Sequence, residues 1–526
     1  MSLKIQKLSY REVIGWIFLG VGLIMLGNSI RLCFCSDIWY DELFTVGMYE
    51  HSYGELVHFT AKDVHPPLYY CITKFFTDLG KGILPAADSI VIAKTVSVMP
   101  YFLLLLYSLT WLRKRFGILA AGVFFFCTLS MPQMSAYTVE MRMYSFALFF
   151  VTAAFIHACE IGSGANVGTE NGKHYLALTL YGLAAAYTQY FACVAVIMVY
   201  GYLFLLFLAQ YRKNRKQGKD TKAPQKALLS LLLCALISIL AYLPWLFVLL
   251  SQIATVRANY WILPLTWRSL GGCVKFLLKP AFGSDKVNVI LAVVFFGLYA
   301  GLLFVYGYRT LKGRKTNFFH ALAGCMVLCG LVGFGFLASL IIRPIFVYRY
   351  MLPAMGCFWL CFVWCLCAFL ENGRRRDFGI GCLILVLLLI VGIRDYGAFM
   401  GEETYKAARM EETKTAMDKI AEDDIVVYNF DQLQAVAGYY MEQESYLWNG
   451  EQEPLIGEMF GKRGSVQSSE QIKDWLAAGK TVWFFGSFNS REEICAEWEK
   501  DGLKTKELGS YMLERYWFNI YSVNIT

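Results

Sequence analysis

The chain has 526 residues, of which 57% are hydrophobic, 16% aromatic and only 17% charged; an ordinary soluble protein carries about 25% charged residues, so the deficit points away from a soluble fold and toward a polytopic membrane protein. The net charge of +8 is unevenly divided: residues 395–526 hold 13 Lys/Arg against 24 Asp/Glu, and the residues before them 35 against 16. That division separates a basic membrane body from an acidic tail, and basic loops in such a body face anionic lipid, which sets nucleic acid aside as a partner.

A helix needs about 20 apolar residues to cross the hydrocarbon core. Eleven segments of roughly that kind follow one another: 13–34, 89–112, 117–132, 143–160, 174–190, 191–209, 227–250, 287–307, 318–342, 346–370 and 378–394. The first follows a short basic stretch and has no small-residue cleavage site, so it reads as a signal anchor with its N-terminus in the cytoplasm. Lys4/Lys7/Arg11, Arg113-Lys114-Arg115, the run from Arg212 to Lys226, that from Arg309 to Lys315, and Arg374-Arg375-Arg376 all fall on one side if the segments alternate, as the positive-inside tendency requires. Alternation then puts linkers 35–88, 133–142, 251–286 and 343–345, and everything after Asp395, on the outer face.

The first outer loop is acidic, with eight Asp/Glu against Lys62, Lys74 and Lys81. It opens on Trp39-Tyr40-Asp41-Glu42. On a helix, adjacent acids point about 100° apart, so one can reach a reacting centre while the other structures the loop. Trp39, Tyr40, Leu43 and Phe44 would bury part of the loop against the membrane. Partial desolvation raises a carboxylate's basicity, which suits a general base. Further on, Asp63-Val64-His65-Pro66-Pro67-Leu68-Tyr69-Tyr70 is stiffened by its prolines and leads into a short helix expected along the membrane surface, its Tyr residues, Tyr69 among them, at headgroup depth. Asp41, Asp63 and His65 could hold a divalent cation. The alternative has Asp63 capping the helix that begins near Pro67 and His65 bonded to a backbone carbonyl.

The second outer loop carries Glu140-Met141-Arg142-Met143-Tyr144, and Tyr348-Arg349-Tyr350 opens the tenth segment. One arginine at a bilayer boundary is often a snorkelling anchor. Two, each flanked by tyrosine and on the side of the acidic loop, make a cradle for phosphate, which guanidinium grips through bidentate, charge-assisted bonds. Gln189, in Tyr187-Thr188-Gln189-Tyr190-Phe191, adds a polar group on the same side. The tail reads as a small α/β domain: 425–428 and 481–485 are apolar runs like buried parallel strands, and helices are expected over 406–421, 432–441, 469–478 and 491–501, the third capped by Ser468 or Ser469. No Gly-rich phosphate loop follows either strand, so dinucleotide binding is unsupported. Of 16 cysteines only Cys495 lies in the tail, so no disulfide framework forms there.

As an ordered set, Asp41-Glu42 after the first segment, His65-Pro66-Pro67-Leu68-Tyr69-Tyr70, Glu140-x-Arg142-x-Tyr144 and Arg349-Tyr350-x-x-Pro353 resemble the GT-C glycosyltransferases, and more narrowly the bacterial branch related to protein O-mannosyltransferases and to the aminoarabinose transferase of lipid A. The resemblance covers residues 1 to about 394. It implies a body of about 11 transmembrane helices over 1–394, with a catalytic first outer loop, and an extracytoplasmic α/β accessory domain over 395–526. It implies a plasma-membrane enzyme that takes a sugar from a polyprenyl-phosphate carrier to an acceptor hydroxyl on a glycan, lipid or protein, among membrane lipid and without nucleic acid. Asp41 would be the catalytic aspartate and Glu42 its companion. Arg142, Tyr144, Arg349 and Tyr350 would lie near the donor phosphate, and Asp63, His65, Tyr69, Glu140 and Gln189 would line the substrate side. Gln189 stands where related sequences often carry histidine. A lipid monophosphate leaving group lets such an enzyme dispense with a cofactor, with a divalent cation left open. The competing reading, a transporter or flippase for polyprenyl-linked lipids, calls for related halves and ionisable groups in mid-span; the interiors here are largely uncharged.

Overall fold

A computed structural model describes residues 9–131, 133–163, 172–258, 262–313, 318–371 and 375–526. Lys4, Lys7, Arg314, Lys315 and Arg374 of the basic clusters, and most of linker 161–173, lie outside them. The chain forms two compact units: Met1–Ile30, Val64–Tyr69 and Thr95–Phe399 make the first, and Arg31–Asp63, Tyr70–Lys94 and Met400–Thr526 the second.

In chain order the helices begin with α1 (Tyr10–Leu32), α2 (Tyr40–Glu50), α3 (Tyr53–Lys62), α4 (Leu68–Ile83), α5 (Ser89–Tyr107) and α6 (Arg113–Ser130). They continue with α7 (Tyr144–Ser163), α8 (Gly172–Thr188), α9 (Tyr190–Lys216), α10 (Lys222–Ala258) and α11 (Arg268–Leu278). Next come α12 (Asp285–Leu311), α13 (Phe318–Ile341), α14 (Leu352–Leu370) and α15 (Arg375–Met417). Each of the eleven apolar segments falls on one of these helices. Among the described residues, nine helical stretches are long and apolar enough to cross a membrane, with Ser89–Ser130 counted as one. That stretch is kinked for a local reason. Ser108–Leu112 is π-helical, the cationic Arg113-Lys114-Arg115 follows, and Gly117 breaks the helix at φ +84°, a conformation that costs little only without a Cβ.

In the first unit α7 and α14 are buried along almost their whole length, and Trp359 and Tyr144 are at most 1% exposed. By contrast, α10 displays Leu229, Leu232, Leu236 and Leu240. A helix apolar all round, with such side chains outermost, is at home in lipid. Small residues bring helices into backbone contact: a Cβ on Gly122 of α6 would stand 2.1 Å from the Gly15 carbonyl oxygen of α1.

The second unit is built on a six-stranded sheet of β1 (Ile425–Tyr428), β2 (Glu444–Trp448), β3 (Gly464–Val466), β4 (Val482–Ser487), β5 (Leu503–Leu513) and β6 (Tyr516–Ile525), ordered β3-β2-β1-β4-β6-β5. α16 (Asp431–Tyr440), α17 (Pro454–Phe460), α18 (Ser469–Ala477) and α19 (Ser490–Lys500) connect the strands. β1 pairs in parallel with β2 and β4, as its unbroken apolar run predicts, whereas β6 is antiparallel to β4 and β5. Alternate side chains of β1 enter opposite cores. Val426 and Tyr428 join Leu433, Val436 and Phe485; Ile425 and Val427 join Ile472, Val482 and Trp498. Each such fully buried aliphatic side chain contributes about 1.5–3 kcal/mol. Ser468 caps α18, accepting from the Glu470 N–H.

Two features depart from the sequence reading. α15 runs unbroken past residue 395, where the composition changes. The first loop folds into three helices where one was expected, because Ser52 and Glu55 form a reciprocal capping box and Glu42 accepts from the Trp39 N–H. Asp63 accordingly closes α3 as its C-cap, its N–H donating to the Phe59 carbonyl, and is not the N-cap of the helix that follows.

Candidate active site

Asp41 and Glu42 share the first turn of α2, and their surroundings differ as those of adjacent helical positions do. Glu42 is 1% exposed. It accepts from Lys94 Nζ at 3.1 and 3.3 Å and from the Trp39 N–H at 3.2 Å. A carboxylate so enclosed and paired organises the loop; the Lys94 partner, 52 residues away, had no signal in the sequence. Asp41 stays half-buried at the positive end of the α2 macrodipole, where a carboxylate is favoured.

The α/β domain brings further acids to this region. Burial pushes the Asp431 carboxyl up, and burial with the charges of Asp431 and Asp63 does the same to Glu453. Burial raises the Tyr40 phenol, helped by Asp431, Glu453, Tyr516 and Asp41. Asp431 and Glu453 escaped the sequence reading because isolated acids in an acidic tail carry no mark. The start of the loop is pinned by Asp37, which accepts from Lys414 at 2.7 Å and from Tyr440, and its far end by Lys62 donating to Glu458. Asp41, Asp63 and His65 were candidate cation ligands; among the described residues no group of three or more His, Cys, Asp or Glu is placed to hold a metal ion.

In the first unit His65, 6% exposed, lines a cavity of about 690 Å³ whose wall is otherwise mostly apolar and comes largely from α8, α9, α10 and α13. Gln189, Tyr190, Gln252 and Tyr350 add polar groups. Gln189 sits where α8 gives way to α9, and its Oε1 caps α9 by accepting from the Ala192 N–H at 2.7 Å. Tyr190 donates to Gln252 and accepts from Trp245 Nε1 at 3.1 Å. Tyr69 is fully buried within the protein: its ring lies 5.8 Å from that of Phe146 and its hydroxyl bonds Ser97 at 3.1 Å. A buried phenol hydroxyl needs such a partner.

The cationic residues belong to the same unit. Arg349 lies in the short turn Tyr348–Met351 that opens α14, its guanidinium 5.8 Å over the Tyr144 ring. Tyr350 stacks on Phe191 at 4.7 Å. Arg142 is 4% exposed and Glu140 8%, on the turn before α7. Tyr348 lines a second cavity, of about 760 Å³, with Gln133, Arg268, Lys275, Lys279 and Asn288. One turn therefore serves an apolar cavity through Tyr350 and a cationic one through Tyr348. The cationic cavity was missed, although Arg268 and Lys275 stand two helical turns apart in linker 251–286, a spacing that puts them on one face of α11.

A helical membrane body of this kind, with an α/β domain after it and an acidic loop behind its first span, has the fold of the GT-C glycosyltransferases. Among solved structures the chain is similar to ArnT from Cupriavidus metallidurans: the apo form matches with a TM-score of 0.59 and 11% identity over 97% of this chain and 98% of that one. The form bound to undecaprenyl phosphate matches at 0.57 and 12%, with the same coverage. At such identity the likeness is one of backbone architecture. No protein-family model matches the sequence, and no curated protein does.

Proposed function

We propose that the protein is an integral-membrane glycosyltransferase that moves a sugar from a polyprenyl-phosphate donor to an acceptor hydroxyl on the outer face of the membrane. The observation that carries this reading is the 690 Å³ cavity, apolar along most of its wall yet lined by His65, Gln189 and Tyr350. Its volume suits a ligand site, for which about 300–1,000 Å³ is usual, and its chemistry suits an isoprenoid tail with a polar head. ArnT, of the same fold, has been solved with undecaprenyl phosphate bound.

Asp41 acts as general base in this reading. It takes the proton of the acceptor hydroxyl as that oxygen bonds to the anomeric carbon, and the bond from that carbon to the phosphate oxygen breaks. The single displacement inverts the anomeric centre and releases polyprenyl phosphate. Arg349 and Arg142, with the tyrosines beside them, stabilise the departing phosphate by fixed charge. Glu42, bound to Lys94, holds the loop.

Full-length protein in lipid nanodiscs, supplied with a panel of radiolabelled polyprenyl-phosphate sugars, tests this. Asp41→Asn is expected to lower kcat about 10²–10⁴-fold with normal insertion. Arg349→Ala is expected to act on donor use with acceptor dependence unchanged. Wild-type turnover by Asp41→Asn removes that residue as the base.

A further inference from the structure

The connection between β5 and β6 lies against the first turn of α2. Leu513 pairs with Tyr516 across the two strands, so Glu514 and Arg515 form a two-residue turn. Glu514 has φ +51°, where glycine or asparagine is the usual occupant. Its carboxyl stands 3.5 Å from Lys406 Nζ and 3.7 Å from Arg515 Nε. The Arg515 guanidinium lies 3.7 Å from the centre of the Trp39 ring, the residue just before α2. The Tyr516 phenol donates to Gln432 Oε1 at 3.1 Å, and Tyr40 and Tyr516 pack against the same apolar cluster of the α/β domain. Tyr40 opens α2. The turn therefore addresses Trp39, two residues before Asp41.

We infer that the β5–β6 turn is a positioning element of the transfer reaction: Arg515, stacked on Trp39, fixes the first turn of α2 and with it the direction of the Asp41 carboxylate. The inference rests on Asp41 being the base. It gives the α/β domain a part in turnover, through Trp39, without direct contact with the reacting atoms. A misplacement of about 1 Å at a reacting group can cost about 10²-fold in rate, so the turn acts on kcat and leaves donor affinity alone.

Two readouts on full-length protein in nanodiscs test it together: hydrogen–deuterium exchange of residues 39–50 and transfer kinetics. Arg515→Ala is expected to speed exchange in the first turn of α2 about tenfold while peptides from α7 and α14 exchange as in wild type. kcat is expected to fall about 10–100-fold with donor KM within about twofold. Arg515→Lys keeps the charge but loses the planar face over Trp39, and is expected not to rescue. Unchanged exchange over 39–50 overturns the inference whatever the activity. Faster exchange with wild-type kcat overturns it too, since the contact is then packing alone. If wild type transfers no polyprenyl-linked sugar while exchange responds as expected, the base assignment fails and the clamp on α2 stands.

Discussion

Burial pushes the Glu514 carboxyl up to about 7, against the pull of Lys406 and Arg515 and with the help of Glu403 and Glu42. From the ordinary glutamate range near pH 4.5 to about 7, the folded protein therefore keeps a proton that the unfolded chain releases. Stability must fall as pH rises through that window and level off above it, by at most about 3 kcal/mol. Glu514→Gln cannot titrate. Its thermal midpoint is expected to match wild type near pH 4.5 and to exceed it above pH 7; a gap that does not change with pH rejects the assignment. The sequence discloses part of this site and hides the rest for a plain reason. That Asp41 and Glu42 cannot aim at one atom follows from helix geometry alone. Which of them turns inward depends on Lys94, brought to Glu42 by tertiary packing. Asp431, Glu453 and Glu514 belong to the tail in sequence and to the neighbourhood of α2 in space, so no local pattern reveals them.

The apolar segments were legible because the length that spans a bilayer is written directly in composition. β1 and β4 were legible as unbroken apolar runs buried on both faces. β5 was not: as an edge strand it leaves Lys504, Glu507 and Leu508 in solvent and shows no alternation to read. β3 has three residues, too few for any period, and α2 and α3 are short helices whose caps are their main signature. Contacts between helices are less legible still, and Gly122 is an instance. The atoms its added methyl would meet are the Gly15 carbonyl and the backbone of Leu19, which cannot swing aside as a side chain can. Gly122→Ala is expected to force α1 and α6 apart and destabilise the protein by about 1–3 kcal/mol, measured as a lower midpoint in detergent. Gly20→Ala, on α1 with open space around it, is the control and should match or slightly exceed wild type. Equal losses from both would remove the close approach as the cause.

Over the whole chain the distribution of charge bears on function more than any single residue does. The membrane body holds 35 Lys/Arg against 16 Asp/Glu and the tail 13 against 24. In the proposed reading the spans alternate, with the basic runs on one side and the acidic loop and the α/β domain on the other. The proposed chemistry requires that second side to be the outer one, where the sugar of a polyprenyl-phosphate donor stands. Single cysteines at exposed sites decide the matter: Glu451→Cys in the α/β domain and Lys219→Cys between α9 and α10. With a membrane-impermeant maleimide on intact cells, Glu451→Cys is expected to label above the wild-type background and Lys219→Cys only after permeabilisation. The reverse pattern would place Asp41 in the cytoplasm, and an externally presented donor could then never reach it.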